Sequence, residues 1–265
     1  MGTFIVLIFL PAASAQALKK PKFDAGVPLT EAAAAERWGE FAANRLGGDF
    51  CMKFSITHRP RRGEDVKYMG VIMGAERGDA VYTRIQIAPA ANPDAFESFI
   101  FKNGPRGSAV WKLENGKFAP LPPDRWFAPL CKGLLYSPFD IMMPYKFWDA
   151  KYAGSGRAGQ PVNFFRLASA AFAQKTVEVA LTKDFNVPAQ IRIFAGGALV
   201  KTARLGSVKK IGDVWIMREA SVKDESTKDS DVLLFTAGKF KISLPQSAFQ
   251  PDSSAQIRLP KMDKF

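Results

Sequence analysis

Few residues in this chain have types and spacing suited to chemistry, and their spacing argues against most of it. The one histidine, His58, stands in "FSITHRPRRGED". A histidine serves as a general base when an acid orients it and a nucleophile lies within hydrogen-bond reach. No serine, cysteine or acid is placed by sequence to work with it, so an exposed or hydrogen-bonded side chain is expected. "GSGRAG" (154–159) matches G-x-G-x-x-G. That pattern holds a pyrophosphate only between a buried strand and a helix N-terminus. Here Pro161 and the strand-like "VNFF" follow, which reads as a Gly-rich hairpin loop. Cys51 and Cys131 have the wrong spacing for a zinc site, and a single histidine cannot complete one. "KDESTKDSD" (223–231) alternates both charge signs and reads as a solvated hairpin turn, and no carboxylate cluster suggests calcium. These features point to a protein that is not an enzyme and uses no cofactor or metal.

The chain does invest in apolar bulk. It has 22 Phe and 8 Met, and 47% of its residues are hydrophobic, enough to bury a substantial core. "LTEAAAAERWGEFAANRL" (29–46) has Thr30 as a candidate cap, with Ala34, Trp38, Phe41, Ala42 and Leu46 at helical spacing. The rest reads mostly as strands. Phe50, Met52, Phe54 and Ile56 alternate with Cys51, Lys53, Ser55 and Thr57, the pattern of a half-buried strand. Val81, Thr83, Ile85 and Ile87 alternate in the same way. Asn115-Gly116 inside "AVWKLENGKFAPL" is a two-residue hairpin signal. The strand rhythm stops at "LPPDRWFAPLCKGLLYSPFDIMMPYKFW" (121–148), where Ser137 or Asp140 can start a short turn or helix that Pro144 limits. It resumes in "WDAKYAG", "PVNFFRLA", "KTVEVALT", "AQIRIFAG", "ALVKTARLG", "DVWIMREASV" and "DVLLFTA". About eleven strands at hairpin spacing predict an antiparallel sheet whose apolar face must be covered. The two helical segments are the available cover.

The first residues bear on the compartment. "FIVLIFL" (4–10), Pro11 and "AASAQA" read as a secretory signal peptide over residues 1–17, cut after Ala15 or Ala17. Seven core residues fall far short of the ~20 needed to span a bilayer. Residues 18–265 are expected as a soluble exported monomer, long enough for one large β domain or two small ones. Outside the cytoplasm, Cys51 and Cys131 are either bonded, worth ~4 kcal/mol on the chain-entropy model, or two independent buried thiols. The formal charge of +12 suits an anionic membrane surface or acidic partners, or is a plain solvated surface. No nucleic-acid motif is present.

Residues 184–224, "DFNVPAQIRIFAGGALVKTARLGSVKKIGDVWIMREASVKD", resemble the LolA-like outer-membrane lipoprotein-sorting proteins of the bacterial periplasm. The likeness is carried by "VPAQIRIF", a Gly turn into "GALVKT", the Lys-rich strand and Trp strand of "VKKIGDVWIM", and the closing "LFTAGKFKISLPQSAFQP". "SPFDIMMP" (137–144) is similar to the family's mid-chain helix start. The resemblance covers about 135–251 well and the first half only by order of elements. It implies a single periplasmic domain over residues 18–265, mainly β with helical cover (α+β): a strongly curled antiparallel sheet, an incomplete barrel closed by helices over an apolar cavity. It also implies carriage of lipoproteins by their acyl chains, from an inner-membrane ABC transporter to an outer-membrane acceptor. Candidate cavity-wall residues are Phe50, Met52, Phe54, Ile56, Val81, Ile85 and Ile87, with Val177, Val179, Leu181, Ile191 and Ile193 from the later meander. Trp38, Phe41, Phe139, Ile141, Met142 and Met143 are the candidate covers. The bland alternative is that all of these fill an ordinary core. An envelope sensor or scaffold binding a protein partner, and a secreted hydrolase, are the competing functions.

Overall fold

The computed structural model describes residues 28–44, 48–211, 214–253 and 259–265. The expected signal peptide and Leu46 lie outside the described residues. In chain order, α1 (Glu31–Ala43) leads into β1 (Asp49–Arg59), β2 (Val66–Arg77), β3 (Ala80–Pro89), β4 (Glu97–Gly104), β5 (Gly107–Glu114) and β6 (Lys117–Leu121). A 3-10 turn (Pro123–Phe127), α2 (Pro138–Met142) and a second 3-10 turn (Pro144–Phe147) follow. Then come β7 (Asp149–Ala158), β8 (Gln160–Ala168), β9 (Lys175–Thr182), β10 (Pro188–Ala195) and β11 (Ala198–Leu205). β12 (Val208–Ile211), β13 (Val214–Met217), β14 (Glu219–Asp224), β15 (Ser230–Ile242) and β16 (Asp263–Lys264) complete the set. The chain groups into two compact units. The first holds β1 to β6, the segment 121–144, β15 and β16; the second holds α1 and β7 to β14.

In the first unit the antiparallel order is β6-β5-β4-β3-β2-β1-β15, with β16 beside β15. Its register sets Met52 opposite Ile72, Ile72 opposite Ile85, and Ile85 opposite Phe99. Directly paired residues point to the same side of a sheet, so Phe50, Met52, Phe54, Ile56, Val81, Ile85 and Ile87 share one face. Gly70 and Gly74 on β2 make room on that face for the rings of β1. A Cβ at Gly70 would stand 2.3 Å from Phe54 Cζ, and one at Gly74 would stand 2.1 Å from Phe50 Cε1. The opposite face carries Cys51, Met73 and Ala75, packed against Leu244 and Phe249 of the stretch after β15. That stretch is held by Arg77, which forks onto both oxygens of Asp49 at 2.8 Å, while the Leu244 N–H donates to the same carboxylate. Arg84 donates to the Ala248 carbonyl and to Ser253 Oγ. Burial lowers the pKa of Arg84 to about 10.

In the second unit the order is β14-β11-β10-β9-β8-β7, with β12 and β13 as a separate hairpin. Val177, Val179, Leu181, Ile191 and Ile193 share one face, because Ile191 pairs with Val179 and Ile193 with Val177. Phe165 and Leu167 of β8 continue it. Helix α1 starts where expected: Thr30 caps it, accepting from the Ala33 N–H at 3.2 Å. "GSGRAG" runs along the end of β7 into the turn at Gly159, where the chain reverses into β8.

Two expectations are corrected. The strand total among the described residues is sixteen, not about eleven. "AVWKLENGKFAPL" is two strands about Asn115-Gly116, "DVWIMREASV" breaks at Arg218 into β13 and β14, and "VKKI" and the C-terminal Asp263–Lys264 pair on their own. The strong curl toward a barrel is also absent: neither row of strands closes on itself. Of the two readings left open for the cysteines, the structure has the second: Cys51 and Cys131 are buried free thiols. Cys51 sits on the face with Met73 and Leu244, whereas Cys131 lies 3.7 Å from the Ile87 carbonyl, at the face of Phe50 and Met52. A strand's alternate side chains leave on opposite sides, so these two sulfurs have the sheet between them. Burial pushes both thiols up to about 12.

Gly70→Ala should therefore destabilise by about 1–3 kcal/mol through overpacking against Phe54, read from the denaturant midpoint. Phe54→Leu in the same chain should recover part of the loss. Thiol titration in non-reducing guanidinium should find two reactive groups, both protected before unfolding; zero groups after unfolding would restore the disulfide.

Candidate ligand site

In the first unit, segment 121–144 lies on the apolar face. Its backbone is mostly irregular, and a buried irregular backbone needs partners for its N–H and carbonyl groups. Side chains from the sheet supply several. Tyr68 Oη donates to the Lys132 carbonyl at 2.8 Å, and Asn103 Nδ2 donates to the Met142 carbonyl at 2.8 Å. Asp231 on β15 accepts from the Leu135 N–H at 2.7 Å and the Tyr136 N–H at 3.1 Å. His58, opposite Asp231 in the ladder, places Nδ1 2.7 Å from its other oxygen. The segment also organises itself. Ser137 caps α2 in a capping box with Asp140, Met143 closes it in the left-handed region at φ 51°, and Phe127 stacks on Phe139 at 4.3 Å. Trp126 Nε1 donates to the Leu121 carbonyl at 2.9 Å.

Phe139, Ile141, Met142 and Met143 are all buried. Phe50, Met52, Phe54 and Ile56 are 0% exposed, so no water-sized void touches them. The face is closed as it stands. A cavity of about 90 Å³ does open where the segment meets β4 to β6. Phe99, Leu121, Pro129 and Pro138 give it apolar walls, and Lys112, Glu114 and Arg125 line its charged side. Lys112 is paired with Glu97 at 3.1 Å. A water needs at least ~10–15 Å³ of such space and a drug-sized ligand ~300 Å³ or more, so this cavity admits a short group only.

The second unit closes its own apolar face with α1. Trp38 packs on Phe165 with ring centroids 5.3 Å apart, Phe41 lies 5.1 Å from Trp38, and the Lys146 ammonium sits 4.7 Å over the Phe41 ring. Polar ties run both ways between the helix and the turn after β9. Arg37 donates to the Lys183 carbonyl at 2.9 Å and Asn186 to the Arg37 carbonyl at 2.7 Å. Val177, Val179, Leu181, Ile191 and Ile193 are all buried.

Each unit is thus a sheet with one bulky apolar face under a separate cover tied by a few polar contacts. Solved structures share the fold. The fold is LolA-like. A candidate outer membrane lipoprotein-sorting protein domain from Vibrio parahaemolyticus matches 82% of this chain and 94% of its own, with TM-score 0.68 at 16% identity. A DUF1329 family protein from Desulfovibrio piger matches 83% and 97%, with TM-score 0.69 at 12% identity. A LolA superfamily protein from Nitrosomonas europaea matches 84% and 99%, with TM-score 0.63 at 14% identity. No protein-family model and no curated protein sequence matches the chain.

The polar ties of this LolA-like fold escaped sequence reasoning. Asp231 closes "KDESTKDSD" and was expected on a solvated turn, yet it is 0% exposed. The available signal was alternation: Asp231 shares parity with Leu233 and Phe235, the inward side of β15. Tyr68, Asn103 and the cavity residues Phe99 and Leu121 carried no distinguishing motif. His58 does have an acidic partner, 173 positions away.

Burial pushes Asp231 above its ordinary carboxylate pKa, and the hydrogen bonds from His58, Leu135 and Tyr136 offset only part of that. A raised native value means that the folded chain binds this proton more tightly than the unfolded chain. Its contribution to stability is fully present below about pH 4 and is lost as pH rises through the raised value. Relative to Asp231→Asn, the wild-type chain should lose stability as pH climbs from about 4, measured by denaturant unfolding at a series of pH values. Parallel curves for the two proteins would refute the assignment.

Proposed function

We propose that this chain is a periplasmic carrier that takes up the acyl chains of lipoproteins or lipids and delivers them toward the outer membrane. The observation that carries the reading is the LolA-like fold over more than four-fifths of the chain, with bulky apolar sheet faces closed by tied covers. On this reading residues 1–17 are removed on export and 18–265 work as one domain. An inner-membrane ABC transporter loads the cargo and an outer-membrane acceptor takes it. No helix among the described residues is long and apolar enough to cross a membrane.

The wall in this proposal comprises Phe50, Met52, Phe54, Ile56, Val81, Ile85 and Ile87, with Val177, Val179, Leu181, Ile191 and Ile193. The covers are Trp38, Phe41, Phe139, Ile141, Met142 and Met143. Cargo enters when the covers shift, and the existing cavity beside Phe99 and Leu121 is where separation from the sheet costs least. Each buried methylene contributes ~0.8 kcal/mol, so a long acyl chain offers on the order of 10 kcal/mol of gross transfer energy to offset that opening. Flexible methionines such as Met52, Met142 and Met143 can repack around a chain of variable shape. Transfer of this kind needs no nucleophile, and none is invoked.

The test is native mass spectrometry on gently purified protein, joined to release of lipoproteins from inner-membrane preparations. Bound acylated species and release into the soluble fraction are expected. Phe54→Ala should lower cargo capture while costing ~3–5 kcal/mol in the cargo-free chain. Recovery of no lipid together with no released lipoprotein would sink the carrier reading. Capture of a protein partner without lipid would favour a sensor or scaffold, and turnover on an ester or peptide panel a hydrolase.

A further inference from the structure

Among the described residues, half of the exposed large apolar side chains gather at one end of the first unit. Val66, Met69 and Phe96 are 43%, 53% and 43% exposed. The ladder brings Met69 and Phe96 close, whereas Val66, three residues before Met69, leaves the opposite face of β2. Met69 pairs with Ala88, and Phe96 directly precedes Glu97, which pairs with Ile87, the neighbour of Ala88. The β1–β2 turn, "RPRRGED", stands at the same end and contributes exposed Arg61 and Arg62. Lys67 lies two residues before Met69 and therefore on the same face of β2. Two acidic neighbours are already engaged: Asp65 with Arg59 at 3.6 Å, and Asp229 with the Arg61 N–H at 2.7 Å. Glu64 and Asp94 are the other carboxylates there. No acidic side chain among the described residues forms an ion pair with the side-chain cation of Arg61, Arg62 or Lys67.

Exposed apolar side chains ringed by unpaired cations suit one kind of surface. The apolar groups gain by entering the interface of a bilayer, and the cations gain from anionic headgroups within a Debye length. An acidic soluble partner would use the cations but would leave Met69 and Phe96 without a role unless it were also apolar. The excess of 37 Lys and Arg over 25 Asp and Glu adds long-range attraction to the same target. We infer that the β1–β2 end of the first unit docks on an anionic lipid bilayer, with Met69 and Phe96 entering the interface and Arg61, Arg62 and Lys67 meeting the lipid phosphates. This does not rest on carriage of cargo.

The experiment places a polarity-sensitive dye on Phe96→Cys in the full chain. Cys51 and Cys131 are buried and held as thiols, so the dye attaches at position 96 alone. Mixing with phosphatidylglycerol–phosphatidylcholine vesicles should shift the emission to the blue, and phosphatidylcholine alone should not. Each cation near an anionic surface is worth about fivefold in partitioning, so Arg61→Glu with Arg62→Glu should raise the half-maximal lipid concentration by at least about 25-fold. The dye reports its own surroundings, whatever other segment meets the bilayer. No shift with anionic vesicles, an equal shift with phosphatidylcholine, or an unchanged midpoint in the charge-reversed variant would each overturn the inference. Because the assay contains no lipoprotein, its failure leaves the carrier reading standing, and failure of the carrier reading leaves this one standing.

Discussion

An antiparallel sheet that gathers Phe50, Met52, Phe54, Ile56, Ile72, Ile85 and Phe99 on one face cannot leave that face in water. Each such side chain gains roughly 1.5–3 kcal/mol by full burial, a gross sum that dominates any polar contact in the first unit. The cover that meets this demand is a proline-rich segment with only one short helix. Such a segment buries its own amides and carbonyls as it buries the apolar face. The rest of the unit's architecture follows from reconciling these two demands.

The reconciliation is made by side chains projecting from the sheet. Asp231 accepts hydrogen bonds from two backbone N–H groups, and Tyr68 and Asn103 each donate one to a backbone carbonyl. An unsatisfied buried backbone group costs about 1–3 kcal/mol, so each tie matters most as the removal of a penalty. Asp231 itself is an expensive choice. Its carboxylate is buried among Tyr68, Tyr136 and His58, and burial favours its neutral form. The same arrangement makes the cover's attachment local, confined to a few points rather than spread along a ladder. The second unit follows the same logic with α1, whose Trp38 and Phe41 supply the apolar contact while Arg37 and Asn186 supply the ties.

The opposite face of the first sheet is handled differently. Cys51, Met73 and Ala75 are sealed by the stretch after β15, and the Asp49–Arg77 fork and Arg84 hold that stretch with bonds to Leu244 and Ala248. Charged pairs with two or three well-formed hydrogen bonds suit a permanent closure. The two faces thus carry unlike closures, one built from single hydrogen bonds and the Asp231 carboxyl over large rings, the other from a buried guanidinium and a bidentate pair.

Local order was legible in the residues themselves. Period-2 alternation marked β1 and β3 and the inward parity of their side chains. Thr30 marked the start of α1, Asn115-Gly116 a hairpin, and Ser137 with Asp140 the start of α2. These signals work because side-chain direction depends only on local backbone geometry. The bulky positions of the apolar faces were readable for the same reason. The number of strands was not, because a break such as Arg218 depends on which neighbour completes the ladder. Whether Cys51 and Cys131 pair was open, because both residues are compatible with burial, and only the register shows that they lie across the sheet from each other. The ties of the cover were invisible: Asp231 and His58 are 173 positions apart, and Leu135 lies 96 positions from that carboxylate. Sequence by itself determined which residues must be hidden from water, since hydrophobicity and alternation are local properties. Only the tertiary structure decided what hides them and which buried polar groups hold the covers down, since those are contacts between segments that local chemistry leaves unpaired.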